Sequence, residues 1–373
     1  HSDLTKMFHS VRTGPEEMFM RLMVWRATEN DDWVVYGFLV VTFGDRPATC
    51  ITSHCLNLAA EAGRLLDPKA ALCLQNDIYC DDICTGGSKD DVSRMVGQVS
   101  ENVDGKLAYS GTLSQILSKA GFAVKMMVTS GERDDRALDR MGGNVLGIKW
   151  EPRSDIFIFK PEVHLGKKLR NGLFSGPQLT PENLKILDNF TWTRRLVLST
   201  VASIYDPAGL ISPILIKFKL FLRDLCQSGH EGWDAPLKGD FLERWKSLVV
   251  EVVMMQPIKV NRTVKPSNAV GSPALVSLVD GSVLAYACAV YVVYKVTIEE
   301  AGPWSSHLGQ RFSRHAALLV SKARVAPLAG LTAPRSEMNS LVLAARLNTL
   351  VLRSLPERPD CLTILGDSEC CIA

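Results

Sequence analysis

Two sets of carboxylates in this sequence have types and spacings that suit metal-dependent chemistry. The first contains the Asp81–Asp82 pair in QNDIYCDDICTGG, residues 75–87, which lies between apolar, β-favouring residues and precedes two glycines. Adjacent carboxylates repel one another unless a cation neutralises them, so the pair indicates a divalent cation. Aspartate is also a common turn residue, and this stretch alone leaves both interpretations open.

A site that uses two metals needs a carboxylate from a second segment on the same face of a sheet. Asp3, in SDLTKMF, fits the end of a neighbouring strand, and the bulky Phe8 follows it closely. In such a site one cation activates a 3′ hydroxyl, and the other holds a triphosphate and its leaving oxygen. The alternative for Asp3, near a chain terminus, is an ordinary helix N-cap.

The second set consists of Asp280, Glu337 and Asp367. The pattern from residue 258 onward predicts the order β-β-β-α-β, which places these residues on the first strand, in the helix and after the last strand. Two metals held there would activate water for attack on a phosphodiester. Taken singly, each residue has a structural alternative: a hairpin turn at Asp280–Gly281, a favourable helix dipole at Glu337 and an N-cap at Asp367.

Composition describes an ordinary globular protein. The chain has 373 residues, 46% hydrophobic and 22% charged, which is enough for two or three domains. The net charge of +2 excludes attraction of a polyanion by overall charge, so local patches would have to bind one. Ten cysteines without C-x-x-C or zinc spacing predict reduced thiols in an intracellular compartment. His1, in place of methionine, predicts a fragment of a longer protein.

The elements that must position the second set begin with ALVSLVDGSVLAYACAVYVVY, residues 274–294. Its length suits a membrane span, but Asp280–Gly281–Ser282 is a turn signal, and we predict two strands. The polar stretch IKVNRTVKPSNAVGSP predicts a domain boundary at 258. A helix over 336–350 is expected to bury Met338, Leu341 and Ala345 against the sheet.

A family resemblance adds to these patterns. DLTKMFHSVRTGPEEMFMRLMVWR, FGDRPATCITSHCLNLA, YCDD and VLGIKW occur in the order of reverse transcriptase motifs A, B, C and E. STVASIYDPAGLISP and SKARVAPLAGLTAPRSEMNSLVLAARL resemble the Pol polyprotein of BEL/Pao-type LTR retrotransposons. The resemblance covers nearly the whole chain. It implies an α+β fold with a reverse transcriptase palm without fingers (1–150), a helical thumb and connection (151–257), and a truncated RNase H-like domain with a mixed sheet (258–373).

The resemblance also implies a function, RNA-directed DNA polymerase with RNase H, and two Mg²⁺ or Mn²⁺ ions per active site. The ligands that it implies are Asp3, Asp81 and Asp82 in the polymerase site and Asp280, Glu337 and Asp367 in the RNase H site. Phe8 would discriminate against ribose, and Tyr79 would pack near the primer end. The implied partners are an RNA or DNA template with primer, deoxynucleoside triphosphates and an RNA–DNA hybrid, with no membrane. The implied location is cytoplasmic, in element particles, with a nuclear phase.

Departures from the family pattern keep a second hypothesis open. The motif B region reads GDRPATC, Gly281 stands where the family has alanine, and the last RNase H ligand is expected beyond Ala373. The alternative is therefore a truncated or decayed copy that at most binds nucleic acid without turnover. Lys322 and Arg324 have two equal interpretations, contact with a nucleic-acid backbone or solvation of an edge strand.

Overall fold

The computed structural model describes residues 1–101, 105–131, 144–166, 176–229, 232–298 and 311–369. The chain divides into two compact units, His1–Ile158 and Phe159–Ala373, each a mixture of helices and strands. The predicted division into 1–150, 151–257 and 258–373 stays a prediction. The two units do not distinguish its second and third parts, because the helices and the sheet after residue 158 lie in one unit. Among the described helices, none has the length and apolar character needed to cross a membrane.

In its described residues, the first unit contains short strands and four α-helices. The strands are β1 (Ser2–Thr5), β2 (Leu22–Trp25), β3 (Val34–Gly37), β4 (Ile78–Tyr79), β5 (Asp82–Ile83), β6 (Val99–Glu101), β7 (Leu107–Tyr109), β8 (Ala123–Met127), β9 (Asn144–Val145), β10 (Ile148–Glu151) and β11 (Ile156–Phe159), the last of which reaches the unit boundary. The helices are α1 (Ala48–Gly63), α2 (Pro68–Asn76), α3 (Lys89–Val96) and α4 (Thr112–Lys119), with short 3-10 helices at Met7–Ser10 and Glu16–Met20.

A sheet in the order β4-β5-β1-β8 forms one side of the first core. Leu56 of α1, Leu74 of α2 and Leu117 of α4 are fully buried in the hydrophobic cluster that also contains Ile83 of β5. The helix α2 begins sharply because the Asp67 carboxylate accepts hydrogen bonds from backbone N–H groups of its first turn and Pro68 follows the cap. Leu107–Tyr109 form strand β7, so the helix α4 begins only at Thr112.

The helical part of the second unit packs around aromatic side chains. It comprises β12 (Val163–His164), β13 (Gln178–Leu179), a 3-10 helix at Pro181–Asn189, α5 (Arg194–Ser203), α6 (Ser212–Gln227), α7 (Gly239–Val253) and β14 (Ile258–Asn261). Trp192, Phe218, Phe221 and Trp245 are almost wholly buried, and Trp245 lies within 6 Å of each of the other three rings, measured between centroids. Burial of such large side chains dominates the stability of a core.

The sheet of the second unit follows the predicted β-β-β-α-β order. Its elements are β15 (Ala269–Gly281), β16 (Ala285–Ile298), β17 (Arg311–Val325), α8 (Ala333–Ser354) and β18 (Cys361–Leu365). The spatial order is β17-β16-β15-β18, antiparallel except for the parallel pair β15–β18. The window 274–294 is therefore two strands, as predicted, and the segment between β16 and β17 lies largely outside the described residues.

The buried face of α8 differs from the predicted one. Met338 is 55% exposed, and Ala345 is also exposed, whereas Leu341 is partly buried. The face that contacts the sheet consists of Ser336, Ser340, Leu343, Ala344, Leu347, Asn348 and Val351. The prediction was wrong because this face includes polar residues. Ser277 on β15 donates a hydrogen bond to the Asn348 side chain at 2.8 Å, which makes burial of that amide oxygen tolerable.

Candidate functional site

The register of the two parallel strands brings Asp280 and Asp367 together. Leu278 of β15 is opposite Leu365 of β18. Each aspartate stands two residues beyond its leucine, so the two carboxylates continue the register at the carboxyl end of the strands. Because side chains alternate between the faces of a sheet, both aspartates emerge on the same face as the two leucines. A shift of one residue in either strand would separate them.

Glu337 reaches the same point from the first turns of α8. A Cβ built on Gly281 would lie 2.6 Å from the Glu337 backbone nitrogen, so the strand end and the helix start are in direct backbone contact. The Gly281 N–H also donates a hydrogen bond to the Glu337 carboxylate. The glycine that departs from the family pattern is therefore the residue that permits this close approach.

The three carboxylates form one compact cluster. Each of Asp280, Glu337 and Asp367 offers an oxygen, and these oxygens all lie within 4.8 Å of one another. Burial and the charges of the two aspartates raise the pKa of Glu337 above its ordinary value, although the Gly281 N–H opposes this. The structure thus brings together the predicted second set, and crowded like charges of this kind are relieved when a cation binds.

The first predicted set converges in part. In the antiparallel pair β1–β5, Asp3 is opposite Asp82, and the Asp81 carbonyl accepts a hydrogen bond from Leu4 N–H at 3.0 Å. Asp81 itself is exposed at the hairpin turn, where Cys80 has a φ of 54°. The strand ends therefore meet as expected. Among the described residues, however, these three carboxylates do not form a cluster as compact as that of Asp280, Glu337 and Asp367.

Two basic side chains pair with carboxylates of the first set. Lys125 of β8 lies 2.7 Å from Asp3, and the His1 ring nitrogen Nε2 lies 2.8 Å from Asp82. Burial and the charge of Asp3 raise the pKa of Asp82, and the hydrogen bond to Asp3 raises the pKa of Lys125. The sequence patterns did not single out Lys125 or His1. Lys125 becomes a neighbour of Asp3 only because β8 pairs with β1 in the folded chain.

The two aromatic residues assigned to the first site differ in their surroundings. Phe8 is partly buried in the 3-10 helix after β1, where its ring meets the edge of Phe43 with centroids 5.5 Å apart. Tyr79, on β4, is 68% exposed beside the carboxylate hairpin. Their roles toward a sugar and a primer stay predictions.

Comparison with known proteins bears on the second unit. No curated protein matches the chain. Among solved structures it is similar to a foamy viral protease-reverse transcriptase dRH in complex with ds DNA, at 12% identity and a TM-score of 0.48, over 98% of this chain and 49% of that one. The chain therefore spans about half the length of that protein.

A family model, the Pao retrotransposon-like RNaseH-like domain, matches residues 193–368. The match includes β15–β18, α8 and all three clustered carboxylates, together with the helices α5–α7 that precede the sheet. The predicted resemblance to a BEL/Pao-type retrotransposon Pol fragment is confirmed by this match, in which residues 193–368 are similar to Pao retrotransposon-like RNaseH-like domains.

Proposed function

We propose that Asp280, Glu337 and Asp367 form a metal-dependent nuclease site that hydrolyses the RNA strand of an RNA–DNA hybrid. The observation that carries the proposal is the convergence of three carboxylates, within 4.8 Å, from two parallel strand ends and one helix start. They lie inside the region that matches an RNaseH-like family. This is the function of a retroelement Pol protein that the geometry supports best.

The donor set fits Mg²⁺ or Mn²⁺. All three side chains offer hard carboxylate oxygens, which these cations prefer over nitrogen and sulfur ligands. Asp280 and Asp367 are exposed and Glu337 is partly buried, so the cluster is open to a substrate. When bound, two cations would supply activation of water and stabilisation of the charge on the attacked phosphate.

The chain itself supplies position and charge. Parallel register holds Asp280 and Asp367 side by side, and the close approach of Gly281 to the backbone of Glu337 brings the third carboxylate to them. Burial and its acidic neighbours raise the pKa of Glu337. A bound cation would lower this pKa, because positive charge favours the ionised carboxylate. Preorganised ligands of this kind reduce the cost of assembling a metal site.

The test is cleavage of a labelled RNA–DNA hybrid in magnesium or manganese by this chain and by a version extended past Ala373. Asp280→Asn should abolish cleavage. Asp360→Asn is the matched control, because Asp360 is an exposed aspartate just before β18, at the opposite end of that strand from Asp367. Cleavage that survives Asp280→Asn would reduce Asp280 to a turn residue. Absence of cleavage in both proteins would favour the decayed, non-catalytic alternative.

A second function, RNA-directed DNA polymerisation, has one specific observation in its favour. Asp3 and Asp82 are direct register partners although 79 positions separate them in the sequence. Metal-dependent primer extension on an RNA template by a version lengthened at both ends tests this function. In that protein Phe8→Ala should admit ribonucleotides more readily, and unchanged sugar discrimination would remove Phe8 from the site.

A further inference from the structure

Four cations surround one cavity in the second unit. The cavity, of about 650 Å³, lies between α6 and the last residues of β17. Lys219 and Arg223 contribute from α6, and Lys322 and Arg324 contribute from β17. The two pairs lie about a hundred positions apart in the sequence, so the fold, not a local run of charge, creates this basic cluster.

The chain holds the cluster together without neutralising it. Within the described residues, none of the four cations has a carboxylate oxygen within 4.0 Å, whereas Lys217, on the same helix, is paired with Glu251 at 2.5 Å. Asp206, the nearest acidic group to act on Lys219, accepts hydrogen bonds from the backbone N–H groups of Leu210 and Ile211. A concentration of unpaired like charge costs stability, and an anionic ligand would relieve it.

Backbone contacts fix two of the cations in place. Lys219 Nζ donates to the Ala323 carbonyl at 3.3 Å, and Arg223 donates to the Leu284 carbonyl at 3.4 Å. Partial burial and the charges of Lys322 and Arg324 lower the pKa of Lys219. Both contacts leave further N–H groups available, because an ammonium has three donors and a guanidinium has five.

The basic cluster adjoins the acidic one. Lys322 also lines a second cavity, of about 380 Å³, whose wall includes Asp280. Tyr286 is the register partner of both Gly281, next to Asp280, and Arg324. The backbone of Arg324 is therefore two strands across from the backbone of Gly281, a distance of roughly 10 Å.

We propose that Lys219, Arg223, Lys322 and Arg324 form a binding site for the phosphodiester backbone of the nucleic acid whose phosphate is presented to the acidic cluster. The inference rests on the proposed nuclease function for its substrate and extends it to α6, a helix outside the sheet. The site recognises backbone charge, so it contributes affinity without sequence preference.

The experiment measures binding of a fluorescent RNA–DNA hybrid to the full chain by anisotropy at several salt concentrations in EDTA. The variant Lys219→Gln/Arg223→Gln/Lys322→Gln/Arg324→Gln should bind at least tenfold more weakly. Its slope of log affinity against log salt should fall by roughly 3, since each phosphate contact contributes about 0.7–0.9. The charge-conserving exchange of lysine for arginine and arginine for lysine at these positions should keep most of the slope.

A control with the same net charge replaces four cations that are ion-paired in the second unit, namely Lys217, Arg244, Lys246 and Lys265. Equal loss of binding in the two quadruple variants would overturn the proposal. The proposal would also be overturned if binding of the protein to phosphatidylserine vesicles depended on the basic cluster and binding to the hybrid did not. Because binding is measured in EDTA, which prevents hydrolysis, a cluster-dependent slope would support this proposal even if the separate cleavage assay with Asp280→Asn refuted the nuclease function.

Discussion

At the scale of single residues, Gly281 determines how closely the carboxylate strand and helix α8 approach. Its backbone touches residues 336 and 337 at distances that leave no room for a side chain. The backbone N–H of the same residue also lowers the pKa of Glu337, against the effects of burial and of the neighbouring aspartates. The absence of a side chain at residue 281 thus has a direct structural reason in this chain.

Gly281→Ala should weaken cation binding at the acidic cluster by about tenfold, because the methyl group must push Glu337 away from Asp280. The unfolding free energy should fall by roughly 1–3 kcal/mol as the strand and helix repack. Titration with Mn²⁺ and urea unfolding measure the two effects. Gly14→Ala, where no atom lies within 4 Å of the added carbon, is the control. Equal effects of the two substitutions would contradict the steric argument.

At the scale of elements, one hydrogen bond joins β15 to α8 in a fully buried position. Ser277→Ala removes the donor to the Asn348 amide, both of whose polar atoms would then lack a partner, because Asn348 Nδ2 has none in the structure as described. We expect the unfolding free energy to fall by about 1–3 kcal/mol. Adding Asn348→Leu should recover most of the loss. Urea unfolding of Ser277→Ala that matched the parent protein would contradict this role.

Asp67, the N-cap of α2, is expected to make the unfolding free energy depend on pH. Burial alone would raise the pKa of Asp67, but Arg94, Thr112 and two backbone N–H groups lower it to about 2. The difference from 3.8 corresponds to roughly 2 kcal/mol. Since the folded-state pKa is the lower one, this stability is present above about pH 4 and is lost as pH falls toward 2.

Asp67→Asn should therefore lower the unfolding free energy by roughly 2 kcal/mol at pH 7, with the difference from the parent protein shrinking toward pH 2. Unfolding in urea across this pH range is the measurement. The exposed Asp90, in the first turn of α3, offers a control in Asp90→Asn. A difference between the Asp67 variant and the parent that did not change with pH would contradict the assignment.

What the sequence could predict at this scale follows from the range of the interactions. Alternating apolar residues and turn signals are local, so they predicted β15, β16, β17, α8 and β18 in order, and with them the positions of Asp280, Glu337 and Asp367. The buried face of α8 escaped prediction because it depends on a partner for Asn348 on another element. The basic cluster escaped as a whole because Lys219 and Lys322 become neighbours only in the folded chain.

At the scale of the whole molecule, charge is concentrated in local clusters within a chain whose net charge is only +2. The family match over 193–368 falls within the compact unit Phe159–Ala373 and includes its helices as well as its sheet. This agrees with a domain in which α6 and β17 act together. The acidic cluster depends on the register of β15 and β18, and the basic cluster depends on the position of α6 beside β17.

The central claim is that Asp280, Glu337 and Asp367 bind catalytic divalent cations, and Mn²⁺ binding measured by electron paramagnetic resonance tests it most directly. It requires neither substrate nor turnover. Asp280→Asn and Asp367→Asn should each weaken Mn²⁺ binding to this site by tenfold or more, while Asp360→Asn leaves it unchanged. If all three variants bind Mn²⁺ as tightly as the parent protein, the carboxylate cluster is not a metal site and the proposed nuclease function is wrong.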